Sequence, residues 1–285
     1  MNNWKKITLI VVPLIVIGTI CALILGCGSG VHSTTQNPNA VPAITSLAPS
    51  FAVSTSSSQT VLINGNGFTA FSSVMFNGFA QTATYISSQQ MSLTLSQAEL
   101  SVPGNYAISV TNPPPGGGVS TGATFGVWNL QADQSTGIQF AFPQFSSGTQ
   151  AVAYSATGAI SAFNVEAQSP SQQDLVPILG VAIYPNTSGM NLQQWFEANV
   201  DINGMLVAAN TFQSLQFSNG VTALIVNGAI PDQYLEIGSP TDEVYAISPD
   251  GKYIIAMSEG QQAQFSDYGY QPVSLYPQIL SSMTF

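Results

Sequence analysis

Hydrophobic residues recur at every second position in a series of short segments that begins at Pro42. Gly, Asn and Pro interrupt this alternation at intervals of roughly ten residues, which is typical of the strands and tight turns of a β-sandwich. Asn77 and Gly78 indicate a hairpin, because both central positions of its turn require a positive φ angle. The side chains predicted to face inward are Val61, Ile63, Val74, Phe76, Ala83, Tyr85, Met91, Leu93, Leu95, Tyr106, Ile108, Val110, Phe125 and Val127.

Residues 128–285 form a second predicted unit with a mixed pattern. The segments "GIQFAFPQF" and "VPILGVAIYP" are typical of strands, whereas "MNLQQWFEANV" predicts a helix that Asn191 caps and in which Gln194 completes a capping box. Two further segments, "SLQFSNGVTALIVNG" and "DEVYAISPDGKYIIAMSE", predict more strands, and the latter turns at Ser248–Gly251. "YPQILSSMTF" predicts a helix before a last strand. We therefore expect an α+β domain with a mainly antiparallel sheet after the β-sandwich.

Residues 42–127 resemble the IPT/TIG family of immunoglobulin-like domains. The resemblance rests on "PAITSLAPS", "VLINGNGFTAFSSVMFNG" and "PGNYAISVTNPPPGGGVSTGATFGV". It implies an all-β immunoglobulin-like sandwich that acts as a spacer or interaction module in a bacterial surface protein and is not itself catalytic. The residues that match the family's turns and strands are Gly65, Gly67, Phe68, Val74, Phe76, Asn77, Gly78, Pro103, Gly104, Tyr106 and Val110.

The C-terminal unit resembles bacterial PsbP-like (Mog1/PsbP) domains in three short segments. They are "NLQQWFEANV", "AISPDGKYIIAM" and the terminal "ILSSMTF". This resemblance implies an α/β sandwich behind a lipoprotein signal, and it transfers no catalytic residue.

The N-terminus has the pattern of an export signal. Lys5 and Lys6 precede an uncharged apolar run over residues 7–26, and small residues follow it. A run of this length is also long enough to span a bilayer as a helix. Two alternatives therefore remain at this point, a cleaved signal peptide and a retained transmembrane anchor.

"ILGC" at residues 24–27 resembles the lipobox of bacterial lipoproteins and favours the cleaved signal. The resemblance implies cleavage between Gly26 and Cys27, diacylation of Cys27, and residues 27–41 as the lipid anchor and flexible tether. Cys21 lies within the apolar run, so we expect neither acylation nor a disulfide there. Attachment through two or more acyl chains is stable. Gly28 in place of Asp implies the outer membrane or the cell surface rather than the inner membrane.

Charge and composition exclude several functions. The chain has three lysines, no arginine and 13 acidic residues, and removal of residues 1–26 would change its net charge from −10 to −12. Nucleic-acid binding needs a cationic face, so we expect no nucleic-acid partner. His32 is the sole histidine and lies in the predicted tether, which excludes His-dependent nucleophilic catalysis and Cys/His zinc sites. We expect neither a cofactor nor a metal ion.

Few residues of the C-terminal unit are candidates for chemistry. Glu197 is expected on the solvent face of the predicted helix, and Asp242 with Glu243 is expected to be surface charge rather than part of a calcium site. The aromatic pairs Trp195/Phe196 and Tyr268/Tyr270 are able to stack on sugar rings, but core packing explains them more simply.

The sequence thus predicts a non-enzymatic, membrane-tethered envelope lipoprotein. In this hypothesis the immunoglobulin-like module presents a C-terminal binding or assembly domain to an envelope protein or a glycan. Two alternatives remain open. One is a glycan hydrolase, which requires two carboxylates across a cleft. The other is a purely structural envelope protein without a small ligand.

Overall fold

The computed structural model describes residues 38–146, 148–169, 174–200, 212–226, 243–259, 268–270 and 272–285. Residues 38–285 form one compact unit. The predicted signal, with Gly26 and Cys27, lies outside the described residues, as do His32 and Asp242. Among the helices of the described ranges, none has both the length and the apolar character needed to cross a bilayer.

The N-terminal part is a sandwich of two mainly antiparallel sheets. One sheet has the strand order β1-β3-β7-β6, and the other has β11-β10-β8-β4-β5, with β2 added on β10 and β9 on β8. A single short helix, α1 (Gln97–Leu100), follows β7. The strands are β1 (Ala43–Ala48), β2 (Phe51–Val53), β3 (Ser58–Asn66), β4 (Ser73–Phe76), β5 (Phe79–Gln81), β6 (Ala83–Ser87), β7 (Gln90–Ser96), β8 (Gly104–Asn112), β9 (Gly118–Val119), β10 (Ala123–Ala132) and β11 (Gln139–Phe142).

The core of this sandwich confirms the alternation in the sequence, with one correction. Tyr85, predicted to face inward, is 38 % exposed because it lies on β6, the outer strand of its sheet. Asn77 and Gly78 form the β4–β5 turn with φ angles of 50° and 82°, as their sequence predicts. The predicted side chains that are buried in this core are Val61, Ile63, Val74, Phe76, Met91, Leu93, Leu95, Ile108, Val110, Phe125 and Val127, and Ala83 and Tyr106 pack against it partly buried.

The last residues of the predicted tether lie against the sandwich. The Asn39 backbone N–H donates to the Pro115 carbonyl at 2.7 Å, and the Asn39 carbonyl accepts from Gly117 at 2.7 Å. The Ala40 carbonyl accepts a hydrogen bond of 2.8 Å from the buried Asn112 side chain. The chain is therefore held on the sandwich before β1 begins.

The C-terminal part is built on a seven-stranded sheet in which every described strand pair is antiparallel. Its strand order is β12-β13-β14-β18-β17-β16-β15. This sheet and its few helices show the α+β class that the sequence predicts. The elements are β12 (Gln150–Tyr154), β13 (Ser161–Gln168), β14 (Leu175–Pro185), α2 (Leu192–Asn199), β15 (Phe212–Gln216), β16 (Thr222–Val226), β17 (Glu243–Ile247), β18 (Tyr253–Glu259) and α3 (Pro272–Ser282).

The two faces of this sheet differ in how they are covered. One face packs on α3 and β11 through a large apolar core that includes Phe140, Val181 and Ile279. The opposite face carries α2, whose Leu192, Trp195 and Phe196 pack in a smaller cluster. Because α2 has only eight residues, it covers only part of that face.

Strand β10 belongs to both parts of the molecule. Its first half pairs with β2 and β8 of the sandwich, and residues 129–132 pair with β11. Val127 is buried in the core of the sandwich, whereas the next residue, Trp128, is buried in the core of the C-terminal part. The two cores are thus joined by one continuous strand.

Candidate functional site

Small side chains leave a recess on the sheet face that carries α2. Ala182 of β14 lies opposite Ala256 of β18, and Gly180 lies opposite Ser258. None of these four side chains extends far above the sheet, so the face is depressed between its larger neighbours. A pocket of about 550 Å³, within the size range of ligand sites, occupies this depression. We call it the sheet hollow.

Aromatic residues form one wall of the sheet hollow. The ring centroid of Trp195 on α2 lies 5.2 Å from that of Tyr184 on β14 and 5.9 Å from that of Tyr245 on β17. Trp195 is 6 % exposed and Tyr245 is 5 % exposed, so only small parts of these rings reach the hollow. Phe196 is fully buried against Tyr245. Core packing, the simpler explanation of the Trp195/Phe196 pair, is confirmed.

Glu243 lies in the wall of the sheet hollow, and its predicted role as surface charge is wrong. It is the first residue of β17, and it stands opposite Ser258 in the ladder with β18. Its carboxylate is partly buried and accepts a hydrogen bond from the Tyr245 hydroxyl, two residues away on the same face of the strand. Burial raises the pKa of the Glu243 carboxyl, and the bond from Tyr245 opposes this only in part.

Tyrosine hydroxyls surround the same carboxylate. Burial raises the pKa of Tyr245, and the negative charge of Glu243 raises it further. The pKa of Tyr184 is also raised, first by burial and then by the charges of Tyr154 and Glu243. Tyr154, on the outer strand β12, has its pKa raised by burial. These tyrosines therefore stay neutral over the ordinary pH range, and Glu243 is the only carboxyl group among the described residues that line the hollow.

The floor of the sheet hollow is polar beside Gly180. A methyl group at Gly180 would lie 3.1 Å from Ser258 Oγ, 3.8 Å from the Tyr154 hydroxyl and 3.9 Å from Asn164 Oδ1. These three oxygen atoms come from three different strands. Ser258 and Tyr154 line the hollow, so the missing side chain at Gly180 keeps their hydroxyl groups accessible from it.

The other candidate residues lie away from the sheet hollow. Glu197 is exposed on α2, as predicted, and accepts a hydrogen bond of 2.8 Å from Gln193 Nε2. Tyr268 and Tyr270 pack edge-on against Phe145, at ring-centroid distances of 5.7 Å and 5.3 Å, in agreement with a packing role. In the described ranges, no three His, Cys, Asp or Glu side chains come close enough together to hold a metal ion.

The sequence contains one signal for the sheet hollow, an alternation of small and large residues in two strands. In "LGVAIY" and "IIAMSE", small residues alternate with large apolar ones, at Gly180 and Ala182 and at Ala256 and Ser258. The large residues face the apolar core on one side of the sheet. Because side chains alternate between the two faces of a strand, the small residues indicate a depression on the opposite face.

Comparison with known proteins supports an immunoglobulin-like fold for the N-terminal part of the chain. A family model described as "IPT/TIG domain" matches residues 42–127. The resemblance that the sequence suggested is therefore confirmed, and the chain contains an immunoglobulin-like IPT/TIG domain followed by a sheet-rich unit with few helices. Among the curated proteins, none matches this chain.

One solved structure similar to this chain is described as "Putative phosphatase" from Bacteroides thetaiotaomicron VPI-5482. The match has 14 % sequence identity and covers 75 % of this chain, which spans only 46 % of that one. Its TM-score is 0.24, and a value of that size does not establish a shared fold.

Proposed function

We propose that this protein is a non-enzymatic cell-envelope lipoprotein that binds a small ligand in the sheet hollow. The observation that carries the proposal is a pocket of about 550 Å³ that combines aromatic walls, a polar floor and a partly buried carboxylate. Concave sites of this size with a few convergent polar groups are typical of ligand binding. The IPT/TIG domain, which is of a non-catalytic type, supplies a binding or structural module beside it.

Lipid attachment through Cys27 places the binding unit outside the cytoplasm in this proposal. The support is the export-signal pattern of residues 1–26 and the small residues around Cys27. We also propose that the C-terminal unit is related to PsbP-like domains, which often follow lipoprotein signals. An envelope protein or a glycan remains the partner that we propose for the assembled protein.

The described residues give little support to a glycan hydrolase. Such an enzyme needs a second carboxylate about 5–10 Å from the first, across the scissile bond. Among the described residues that line the sheet hollow, Glu243 is the only Asp or Glu. A purely structural protein would not need a pocket of this kind on its C-terminal unit.

Lipid attachment is tested by labelling cells with palmitate. We expect the wild type and Cys21→Ala to incorporate the label, and Cys27→Ala to lose it together with its membrane association. Labelling of Cys27→Ala at the wild-type level would show that the lipoprotein assignment is wrong.

Ligand binding is tested on the full chain in detergent by isothermal titration calorimetry. The compounds are N-acetylglucosamine, choline and citrate, which represent neutral, cationic and anionic ligands, and turnover of glycan fragments is assayed in parallel. Binding of one of them, abolished by Gly180→Ala, supports the proposed function. If none of them binds, the binding function is refuted, and glycan turnover would support the hydrolase instead.

A further inference from the structure

Among the described residues, no Lys or His side chain pairs with the carboxylate of Glu243. Lys252 is the only Lys or Arg after residue 6, and the chain has no arginine. The Lys252 ammonium lies 2.8 Å from Asp250 Oδ2, in the turn between β17 and β18. Glu243 is at the other end of β17, roughly 15 Å away at the rise of an extended strand. The Lys252 charge is therefore committed to Asp250 and is too far away to neutralise Glu243.

Glu243 is also poorly supplied with hydrogen-bond donors. Within the described residues, Tyr245 is the group that donates to its carboxylate. Asp133, which is 5 % exposed, accepts instead from the hydroxyls of Ser135, Thr136 and Ser161. A carboxylate offers about four lone-pair positions, so Glu243 keeps acceptor capacity that faces the hollow.

The aromatic wall favours a positive charge at the same place. The ring centroid of Trp195 lies 5.2 Å from that of Tyr184 and 5.9 Å from that of Tyr245, and all three residues line the hollow together with Glu243. Ring faces and tyrosine oxygens are electron-rich, and they attract organic cations more strongly when water is excluded. The net charge of −10 adds a long-range attraction for cations and repels anions.

We propose that the sheet hollow binds a small organic cation, an amine or quaternary ammonium group, between the Glu243 carboxylate and the rings of Tyr184, Trp195 and Tyr245. This inference rests on the proposed function, because it names the class of ligand that the same pocket takes. The cation supplies the counter-charge that no described residue supplies at Glu243. The polar floor, with the hydroxyl groups of Tyr154 and Ser258, accepts hydrogen bonds from the remainder of the ligand.

Binding of a cation is coupled to the ionisation of Glu243. Among the described residues, the other titratable groups of the hollow are Tyr154, Tyr184 and Tyr245, and the pKa of each is raised, so they stay neutral. The α2 residues that reach the hollow are not titratable. Because burial raises the pKa of Glu243, a proton competes with the cation for this carboxylate up to a higher pH than at an exposed glutamate. The affinity therefore increases with pH, by up to about tenfold per unit, until the carboxyl is ionised.

Choline and its carbon isostere, 3,3-dimethylbutan-1-ol, have nearly the same shape, but only choline is charged. Comparing their affinities therefore measures the contribution of the positive charge to binding. Calorimetry on the full chain is expected to give at least about tenfold tighter binding for choline at pH 8. Choline keeps its charge at every pH, so a loss of its affinity on acidification reports Glu243 and not the ligand. Equal binding of the two compounds, or tighter binding of N-acetylglucosamine, refutes the cation site and leaves the proposed binding function standing. If none of the three binds, both are refuted.

Two Glu→Gln variants test whether Glu243 is the residue that binds choline. Glu243→Gln is expected to weaken choline binding by at least about tenfold, to remove its pH dependence, and to leave the isostere unaffected. Glu197→Gln makes the same chemical change on the exposed face of α2 and is expected to bind choline as the wild type does. If Glu243→Gln retains the wild-type choline affinity, the inference is wrong.

Gly180→Ala tests the pocket itself. The added methyl group would lie 3.1 Å from Ser258 Oγ on the floor of the hollow, so choline binding is expected to be lost. Gly122→Ala adds the same group at an exposed position 3.6 Å from Ala107 Cβ, and it is expected to have no effect. Thermal melting of each variant confirms that it is folded, and choline binding by folded Gly180→Ala would place the ligand elsewhere and refute the site.

Discussion

The side chains of Asp133 and Glu243 are both shielded from solvent, but their surroundings shift their pKa values in opposite directions. Burial opposes the ionisation of Asp133, but hydrogen bonds from Thr136, Ser161 and Ser135 outweigh it and lower the pKa of Asp133. Burial raises the pKa of Glu243, and the Tyr245 bond does not compensate for it. Asp133 therefore stabilises the β10–β11 loop and its contact with β13. Glu243 costs stability whenever it is ionised, which is a common property of functional sites.

The matched variants Asp133→Asn and Glu243→Gln are expected to change stability in opposite directions. The folded-state pKa of Asp133 lies below its unfolded value, so its stabilisation is present at neutral pH and is lost as the pH falls through the folded pKa. The folded-state pKa of Glu243 lies above its unfolded value, so stability is lost as the pH rises through it.

Urea denaturation of both variants at pH 8 and pH 3 measures these effects. At pH 8 we expect Asp133→Asn to lower the free energy of unfolding by about 1–3 kcal/mol, the range for hydrogen bonds to a charged group. Glu243→Gln should increase it, because the amide still accepts the Tyr245 bond without a buried charge. Both differences should shrink at pH 3. A destabilised Glu243→Gln at pH 8 would show that the Glu243 carboxylate is satisfied.

Helix α2 connects a local sequence signal to the wall of the sheet hollow. Its capping box was predicted from the sequence and is present. Asn191 Oδ1 accepts from the Gln194 N–H at 2.9 Å, and Gln194 Oε1 accepts from the Asn191 N–H at 3.1 Å. The helix carries Trp195, Asn199 and Val200 into the lining of the hollow. The stability of this short helix should therefore affect both folding and binding.

Asn191→Ala is expected to lower the free energy of unfolding by about 1 kcal/mol, because the first turn of α2 loses its cap. Choline affinity should fall by a few-fold at unchanged pH dependence, since the wall loosens while Glu243 is intact. Gln193→Ala, on the exposed face of the same helix, should change stability by less than about 0.5 kcal/mol. Urea denaturation and calorimetry check both quantities. Equal effects of the two substitutions would contradict the role of the cap.

The elements that were predictable are those whose signal is local. The Asn77–Gly78 and Ser248–Gly251 turns and the cap of α2 each depend on a few adjacent residues. The sheet hollow depends on register instead. Gly180, Ser258 and Glu243 lie on three adjacent strands and become neighbours only through the pairing of β14 with β18 and of β18 with β17. The β17–β18 hairpin was predictable from its turn, but the pairing of β14 with β18 joins segments far apart in the chain and was not, so Glu243 was not recognised as a neighbour of Gly180.

At the scale of the whole molecule, the junction of the two parts is a strand and not a linker. The boundary predicted between residues 127 and 128 lies inside β10. Phe51 of the sandwich stacks on Trp128 with ring centroids 4.0 Å apart, and the Tyr270 hydroxyl donates to Asn105 Oδ1 at 3.2 Å. Contacts of this kind, together with the shared strand, indicate that the IPT/TIG domain fixes the orientation of the sheet hollow. A module joined by a flexible linker would leave that orientation free.

Insertion of Gly-Ser-Gly-Ser between Val127 and Trp128 tests this coupling. The wild type is expected to unfold in one cooperative calorimetric transition, because Val127 and Trp128 hold the two cores in register. The insertion preserves the pairing of residues 123–127 with β8 and of residues 129–132 with β11, but it separates these two ladders. Two transitions are therefore expected, with choline raising the midpoint of only one of them.

The same insertion between Thr187 and Ser188, in an exposed turn, should leave a single transition. A single, unshifted transition in the β10 variant would mean that the two parts are coupled without the continuous strand.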